Sequence, residues 1–149
     1  MSRPQIKRFR LLAHPGYHVR VVVWDTLEDM HRYSGRRGLG YETRQRGFFH
    51  YSAWKDGTRV LNKCRAGDLH CAKSDWDLNL VLHECLHAAF HLYAATLGPM
   101  VIEKVDTALD EPICYSIGKL ADDVYKWLWE IAPNEKWSKS ECRPSSCNE

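Results

Sequence analysis

Three residues in the stretch Val81-Leu-His83-Glu84-Cys85-Leu86-His87 have the types and spacing that chemistry at a metal ion requires. Histidines four apart on a helix lie one turn apart on the same side, so the imidazoles of His83 and His87 can grip one cation. Glu84 sits beside them as a proton acceptor. Two neutral imidazoles and a third ligand suit Zn2+, which keeps a fourth position for water and lowers that water's pKa from about 15.7 toward about 7 to 9. The arrangement is that of a zinc hydrolase, in which two histidines and a third group hold the ion and Glu84 moves protons.

A helix must hold these residues, and signals for its ends flank them. Ser74 or Asp75 can cap the start, Asp77 suits the first turn and Gly98-Pro99 stops the chain. That spans roughly 22 residues, or about 33 Å. Its sides are apolar almost all round, through Val81, Leu82, Cys85, Leu86, Ala89 and Leu92 among others, which predicts a helix buried inside the domain. A buried carboxylate beside two imidazoles loses its hydration unless something charged replaces it, and a metal ion does so.

The third ligand is the open question of the motif. No histidine follows His91, and side chains at i, i+4 and i+8 drift by about 40° per step, so His83, His87 and His91 do not converge on one ion. His91 is expected beside the site, either hydrogen-bonding a ligand or substrate or as a partly exposed polar residue near the cleft. A second helix spans about residues 109 to 131, with apolar positions at Leu109, Ile113, Ile117, Leu120, Val124, Leu128 and Ile131, and ends before Pro133. Another of its sides carries Glu111, Cys114, Tyr115, Gly118 and Ala121, small enough at Gly118 and Ala121 to approach the metal helix closely. Glu111 is therefore the preferred third ligand. Asp110 is its rival, or else caps the helix before Pro112, which the first turn tolerates; His91 or an upstream residue are the other choices.

Length and composition bound what such a helix can belong to. At 149 residues the chain makes one domain, expected over residues 1–133, with 134–149 an extended or flexible tail. A hydrophobic fraction of 44% with 27% charged residues excludes a disordered chain. No apolar run approaches the roughly 20 residues of a membrane span, and the start lacks the apolar segment of a signal peptide, so a cytoplasmic protein without membrane partners is expected. The six cysteines form no Cys-x-x-Cys pair and are expected as thiols, with Cys142 and Cys147 the pair placed for an exposed bridge. Charge is divided unevenly: residues 1 to 65 carry 14 Lys or Arg against 5 Asp or Glu, and residues 66 to 149 carry 7 against 14. Such a split reads as a basic and an acidic flank of one domain, or as a basic face for nucleic acid or an acidic partner. No nucleic-acid motif accompanies it.

In chain order, residues 1 to 16 read as a basic lead-in and His18 to Trp24 as a central strand. A short helix from about Thr26 to Tyr33 is followed by a glycine-rich basic loop from Ser34 to Gly47. Phe48 to Trp54 and Thr58 to Lys63 bracket Asp56-Gly57 as a hairpin. Asp68 to Ala72 is placed along the edge of the sheet, suited to pairing with an extended peptide. Trp127, Trp129 and Trp137 cover the core or form a partner surface. The expected fold class is α+β: a small twisted, mainly antiparallel sheet packed on the motif helix and a second ligand-bearing helix.

His83-Glu84-Cys-Leu-His87 followed by Asp110-Glu111-Pro-Ile-Cys-Tyr115 on a later helix resembles the gluzincin class of zincin metallopeptidases. In size the chain is similar to the compact minigluzincins and the small HExxH proteins of phages and prophages. The resemblance runs from Leu69 to about Leu128 and departs from the metzincin pattern, since no glycine followed by a third histidine is present and Tyr93 stands at that histidine's position. It implies a zincin-like fold, Zn2+ held by His83, His87 and Glu111, Glu84 as general base, a peptide or protein substrate and, for a phage protein, the host cytoplasm. Tyr115 or His91 then donates to the oxyanion, an effect worth roughly 3 to 4 kcal/mol in a preorganised site; the plainer reading of Tyr115 is a packed core tyrosine. Two other classes stay open: a catalytically silent, zinc-stabilised protein that binds or inhibits a host protein, and a DNA-associated protease similar to SprT-like zincins that uses the basic N-terminal half. Retention of Glu84 favours catalysis, because structural zinc has no use for a base.

Overall fold

The valine run before Trp24 forms the middle of the sheet, because its alternate residues are buried on opposite faces. In the computed structural model, which describes residues 3–11, 14–39, 45–51, 53–55, 58–60, 64–97 and 107–133, this strand is β2 (His14–Trp24). Val19, Val21 and Val23 point to one face and Val22 and Trp24 to the other, all at most 3% exposed. β1 (Gln5–Leu11) pairs with it antiparallel and β6 (Arg65–Ala72) pairs with its other side in parallel. β3 (Gly47–Tyr51) then pairs antiparallel with β6, giving the order β1-β2-β6-β3. β4 (Ala53–Lys55) and β5 (Thr58–Val60) form a separate hairpin, Ala53 opposite Val60 and Lys55 opposite Thr58, as the Asp56-Gly57 signal predicts; that dipeptide itself lies outside the described residues.

Three helices complete the described residues: α1 (Leu27–Arg37), α2 (Leu78–Leu97) and α3 (Thr107–Ile131). The molecule is thus α+β with a four-stranded mixed sheet. On one sheet face, Val81, Cys85, Ala88 and Leu92 of α2 and Leu120, Val124, Trp127 and Leu128 of α3 close a single core over Phe9, Val19, Val21 and Leu69. On the other, α1 covers a smaller cluster of Val22, Trp24, Met30 and Phe48. No helix among the described residues is long and apolar enough to cross a membrane.

Several expectations are corrected. Residues 5 to 11 form a strand, because Phe9 and Leu11 reach the core between outward Lys and Arg side chains. β6 is internal rather than an edge. Its polar residues are met within the sheet, Asp68 by Arg20 and His70 by the Trp24 indole, and the edge position belongs to β3. α1 continues to Arg37, ending at Gly38, whose φ of 61° is the left-handed conformation glycine adopts freely. Arg36 and Arg37 therefore sit at the negative end of a helix instead of opening a loop.

α2 is capped by Asp77, not by Ser74 or Asp75: its carboxylate accepts the Leu80 N–H at 2.8 Å and also pairs with Arg46 at 2.8 Å. Nor is α2 buried all round, since Leu82 is 40% and Leu86 38% exposed. Trp127 covers the core beside Phe9, with ring centroids 5.7 Å apart, whereas Trp129 is partly exposed against Tyr125 and Trp137 lies outside the described residues. Cys64, Cys71, Cys85 and Cys114 are free thiols, and Cys142 and Cys147 lie outside the described residues, as does the expected tail from 134 onward.

Candidate metal and proton-transfer site

The exposed face of α2 carries the two histidines. One turn of helix brings His83 Nε2 within 3.1 Å of His87 Nε2, with ring centroids 4.7 Å apart and the rings nearly perpendicular. Two bonds of about 2.0–2.1 Å to a tetrahedral ion would separate their nitrogens by about 3.3 Å. The observed spacing therefore fits a shared cation with only a small side-chain adjustment. Without one, the contact needs one imidazole to donate and the other to accept, which fixes opposite tautomers.

Glu84, about 100° further round the helix, faces inward and is only 3% exposed. Its carboxylate accepts the backbone N–H of Phe49 on β3. Burial pushes the carboxyl up to about 7, with the Phe49 bond pulling in the opposite direction. Oε2 is buried with no hydrogen-bond partner. A carboxyl in this condition exchanges its proton near neutral pH, the behaviour a general base requires. The flanking thiols behave differently. Burial, reinforced by the charge of Glu84, pushes Cys71 up to about 12 and Cys85 upward as well, so both stay protonated and are poor ligands and nucleophiles.

Close approach of β3 to α2 depends on two glycines. A Cβ on Gly47 would lie 2.9 Å from the His70 carbonyl oxygen and 3.0 Å from a Leu80 methyl, and one on Gly67 would lie 2.3 Å from the Phe49 ring. Larger residues at either position would push β3, and with it the donor to Glu84, off its place.

The remaining expected site residues divide. His91 is wholly buried, its ring 6.0 Å from that of Phe49, so it is not the partly exposed residue of the cleft rim. Seven positions after Glu84, it shares that residue's inward face rather than the face of the histidine pair. Tyr115 is 68% exposed, which excludes the packed core tyrosine. Gly118 has open space where its Cβ would be, so it does not mediate the approach of α3 to α2; buried Leu120, Ala121 and Val124 join the shared core instead. Asp110 and Glu111 belong to α3, but their side chains lie outside the described residues. Because α3 already begins at Thr107, Asp110 is not its cap and Pro112 stands beyond the first turn. Among the described residues, no group of three potential ligands is assembled around the histidine pair.

Sequence reasoning missed a second set of polar residues, on the sheet face that α1 only partly covers. Arg20 grips Asp68 through both guanidinium and carboxylate edges, Nε to Oδ1 at 2.9 Å and Nη2 to Oδ2. The available signal was the alternation Ile6, Arg8, Arg10 against Lys7, Phe9, Leu11, which marks a strand with a cationic face.

No protein-family model, curated protein or solved structure matches the chain.

Proposed function

We propose that the chain is a zinc-dependent peptide hydrolase of zincin-like construction. The observation that carries this reading is the facing pair of Nε2 atoms, 3.1 Å apart on an exposed helix face, beside a buried carboxyl with an unpartnered oxygen. His83 and His87 would hold the ion, with Glu111 as the third ligand. When bound, zinc supplies an acidified water and polarises the scissile carbonyl.

The chain's own residues do the rest. The unpartnered Oε2 of Glu84 takes a proton from the attacking water and returns it to the leaving amine. Phe49 N–H holds the other part of that carboxylate and keeps it aimed. β3 is the edge of the four-stranded sheet, so an extended substrate can add to it through backbone hydrogen bonds. Leu82 and Leu86, exposed one turn apart on the stripe beside the histidines, offer apolar surface for substrate side chains. Tyr115 is solvent-accessible and free to donate to the oxyanion. His91 acts indirectly, by packing against Phe49.

Metal analysis combined with substitution tests this. The expected result is about one zinc per chain, lost in His83→Ala and His87→Ala, weakened in Glu111→Ala, and kept in Glu84→Gln while peptide hydrolysis disappears. Full zinc occupancy in Glu111→Ala would overturn the third ligand. Wild-type protein that holds zinc yet cleaves nothing in a broad peptide library would overturn the hydrolase and leave a zinc-stabilised binding protein.

A further inference from the structure

The sheet face opposite α2 is covered by α1 over only half its length. Strand register says what occupies the rest. Across the strands, Arg8 of β1 stands beside Arg20 of β2, then Asp68 of β6, then His50 of β3. In the next row outward, Arg10 stands beside His18, and His18 beside Arg65. Two rows thus hold four arginines and two histidines against a single carboxylate.

That carboxylate is already committed. Asp68 is 4% exposed and bound to Arg20 through both oxygens, and Arg65 reaches it only as a long ion pair of 3.7 Å. Arg65 Nε is buried and makes no hydrogen bond. Arg8 and Arg10 are exposed and make no ion pair among the described residues. Between them lies a cavity of about 480 Å³, lined by Arg8, Arg10, Gly16, Tyr17 and His18. Its size is within the usual range of small-molecule sites. The local potential is positive enough to act on its own wall. After burial, the largest influences lowering the His18 pKa are Arg8 and Arg65; Arg20 adds to them and Asp68 opposes.

We propose that this cavity binds phosphate groups, carried by a nucleotide or by a nucleic-acid strand laid across the two cationic rows. Guanidinium groups present planar paired donors that match phosphate oxygens, and arginines without a countercharge give a multiply charged anion more than a single carboxylate can use. Beyond the cavity the same rows continue through Arg65, whose Nε makes no hydrogen bond, while the charge of Arg20 is met by Asp68. Arg8, Arg10 and His18 belong to the sheet face opposite the one that α2 covers, and no residue of the cavity is shared with the histidine pair, so the site stands or falls independently of the zinc reading.

Binding is measured by fluorescence anisotropy and calorimetry on the full chain at about 50 mM salt, with inorganic phosphate, ATP, a single-stranded oligonucleotide of about twelve residues and polyglutamate as probes. Saturable binding of ATP alone assigns the nucleotide, and tighter binding of the oligonucleotide assigns the strand. The Arg8→Ser/Arg10→Ser double variant, both positions exposed, is expected to weaken binding at least tenfold and, for the strand, to lower the slope of log affinity against log salt by about 1.4. Arg36→Ala/Arg37→Ala, equally basic but on α1, leaves binding unchanged, as does His83→Ala. Circular dichroism of each variant checks the fold, and Arg8→Lys/Arg10→Lys, which keeps the charge, restores most of the affinity. The proposal is overturned if no phosphate probe binds, if the double serine variant binds as well as wild type, or if polyglutamate binds as tightly as the oligonucleotide.

Discussion

Acid should destabilise this protein in part through one buried side chain. His70, in the middle of the sheet, is 1% exposed, stacked on Phe48 at 4.5 Å and near Tyr33 at 5.3 Å. Its Nδ1 accepts the Trp24 indole N–H at 3.1 Å, and its Nε2 is buried without a partner. Burial holds its pKa down to about 3 from an ordinary 6.5; the charge of Asp68 opposes this, and His50 and Arg20 add to it. Above pH 6.5 both folded and unfolded chains carry a neutral ring. As pH falls through 6.5, the unfolded chain takes up a proton that the native one refuses, so native stability drops by about 1.4 kcal/mol per pH unit. By pH 5 the loss is about 2 kcal/mol, and it saturates near 5 kcal/mol at about pH 3. His70→Gln keeps an acceptor for the Trp24 indole and removes the charge. Urea unfolding of the metal-free protein, followed by circular dichroism at about pH 7.5 and about pH 5, should show wild type losing about 2 kcal/mol more than the variant between the two. The difference between the two proteins isolates His70 from the titrating groups they share. Parallel losses, within about 0.5 kcal/mol, would show that His70 is not held neutral and refute the reasoning.

Three more outcomes are expected. Asp77→Ala removes the cap of α2 and one partner of Arg46, and should lower stability by about 1 kcal/mol; a melting temperature equal to wild type would mean another group caps the helix. Gly67→Ala places a methyl 2.3 Å from the Phe49 ring and 2.6 Å from the His50 carbonyl oxygen. It should destabilise by about 1 to 3 kcal/mol and shift the Phe49 amide resonance, since the N–H that serves Glu84 moves with the strand; an unmoved resonance would contradict that coupling. Tyr115→Phe should change stability by less than about 0.5 kcal/mol, because the side chain is 68% exposed. A drop in peptide hydrolysis in that variant then measures chemistry, and an unchanged rate removes Tyr115 from the site.

What the sequence made legible was local. His83 and His87 face each other because helical spacing alone decides that, and Thr26 caps α1 through its hydroxyl to the Asp29 N–H as its position suggests. The hairpin around Asp56-Gly57 needed only turn chemistry. What was not legible depended on distant partners. Asp68 and His70 look like edge-strand polarity until Arg20 and Trp24, 48 and 46 residues away, satisfy them inside the sheet. β1 was hidden because its lysine and arginines outnumber the two residues it buries. Apolar residues all round α2 predict full burial and erase the periodicity that would show which side lacks a neighbour; that side is the one with the histidines. Glu84 needed the same long-range information, since its burial follows from β3 lying against α2.

The pairing of β2 with β6 also sets the order in which the molecule can assemble. Arg20 and Asp68 are neighbours in a parallel ladder although 48 residues separate them, and the intervening chain contains α1, β3 and the hairpin. Closing a loop of that length costs about 3 kcal/mol of chain entropy beyond a fixed term, before any contact offsets it. Helical turns form far faster, so the two imidazoles meet while the strand that buries Glu84 is still unplaced. A cation present during refolding therefore encounters a two-histidine turn first and the proton-accepting carboxyl last. Under the proposed function, ligand affinity and catalytic competence should emerge on separate timescales, the second set by the slow union of strands distant in the chain.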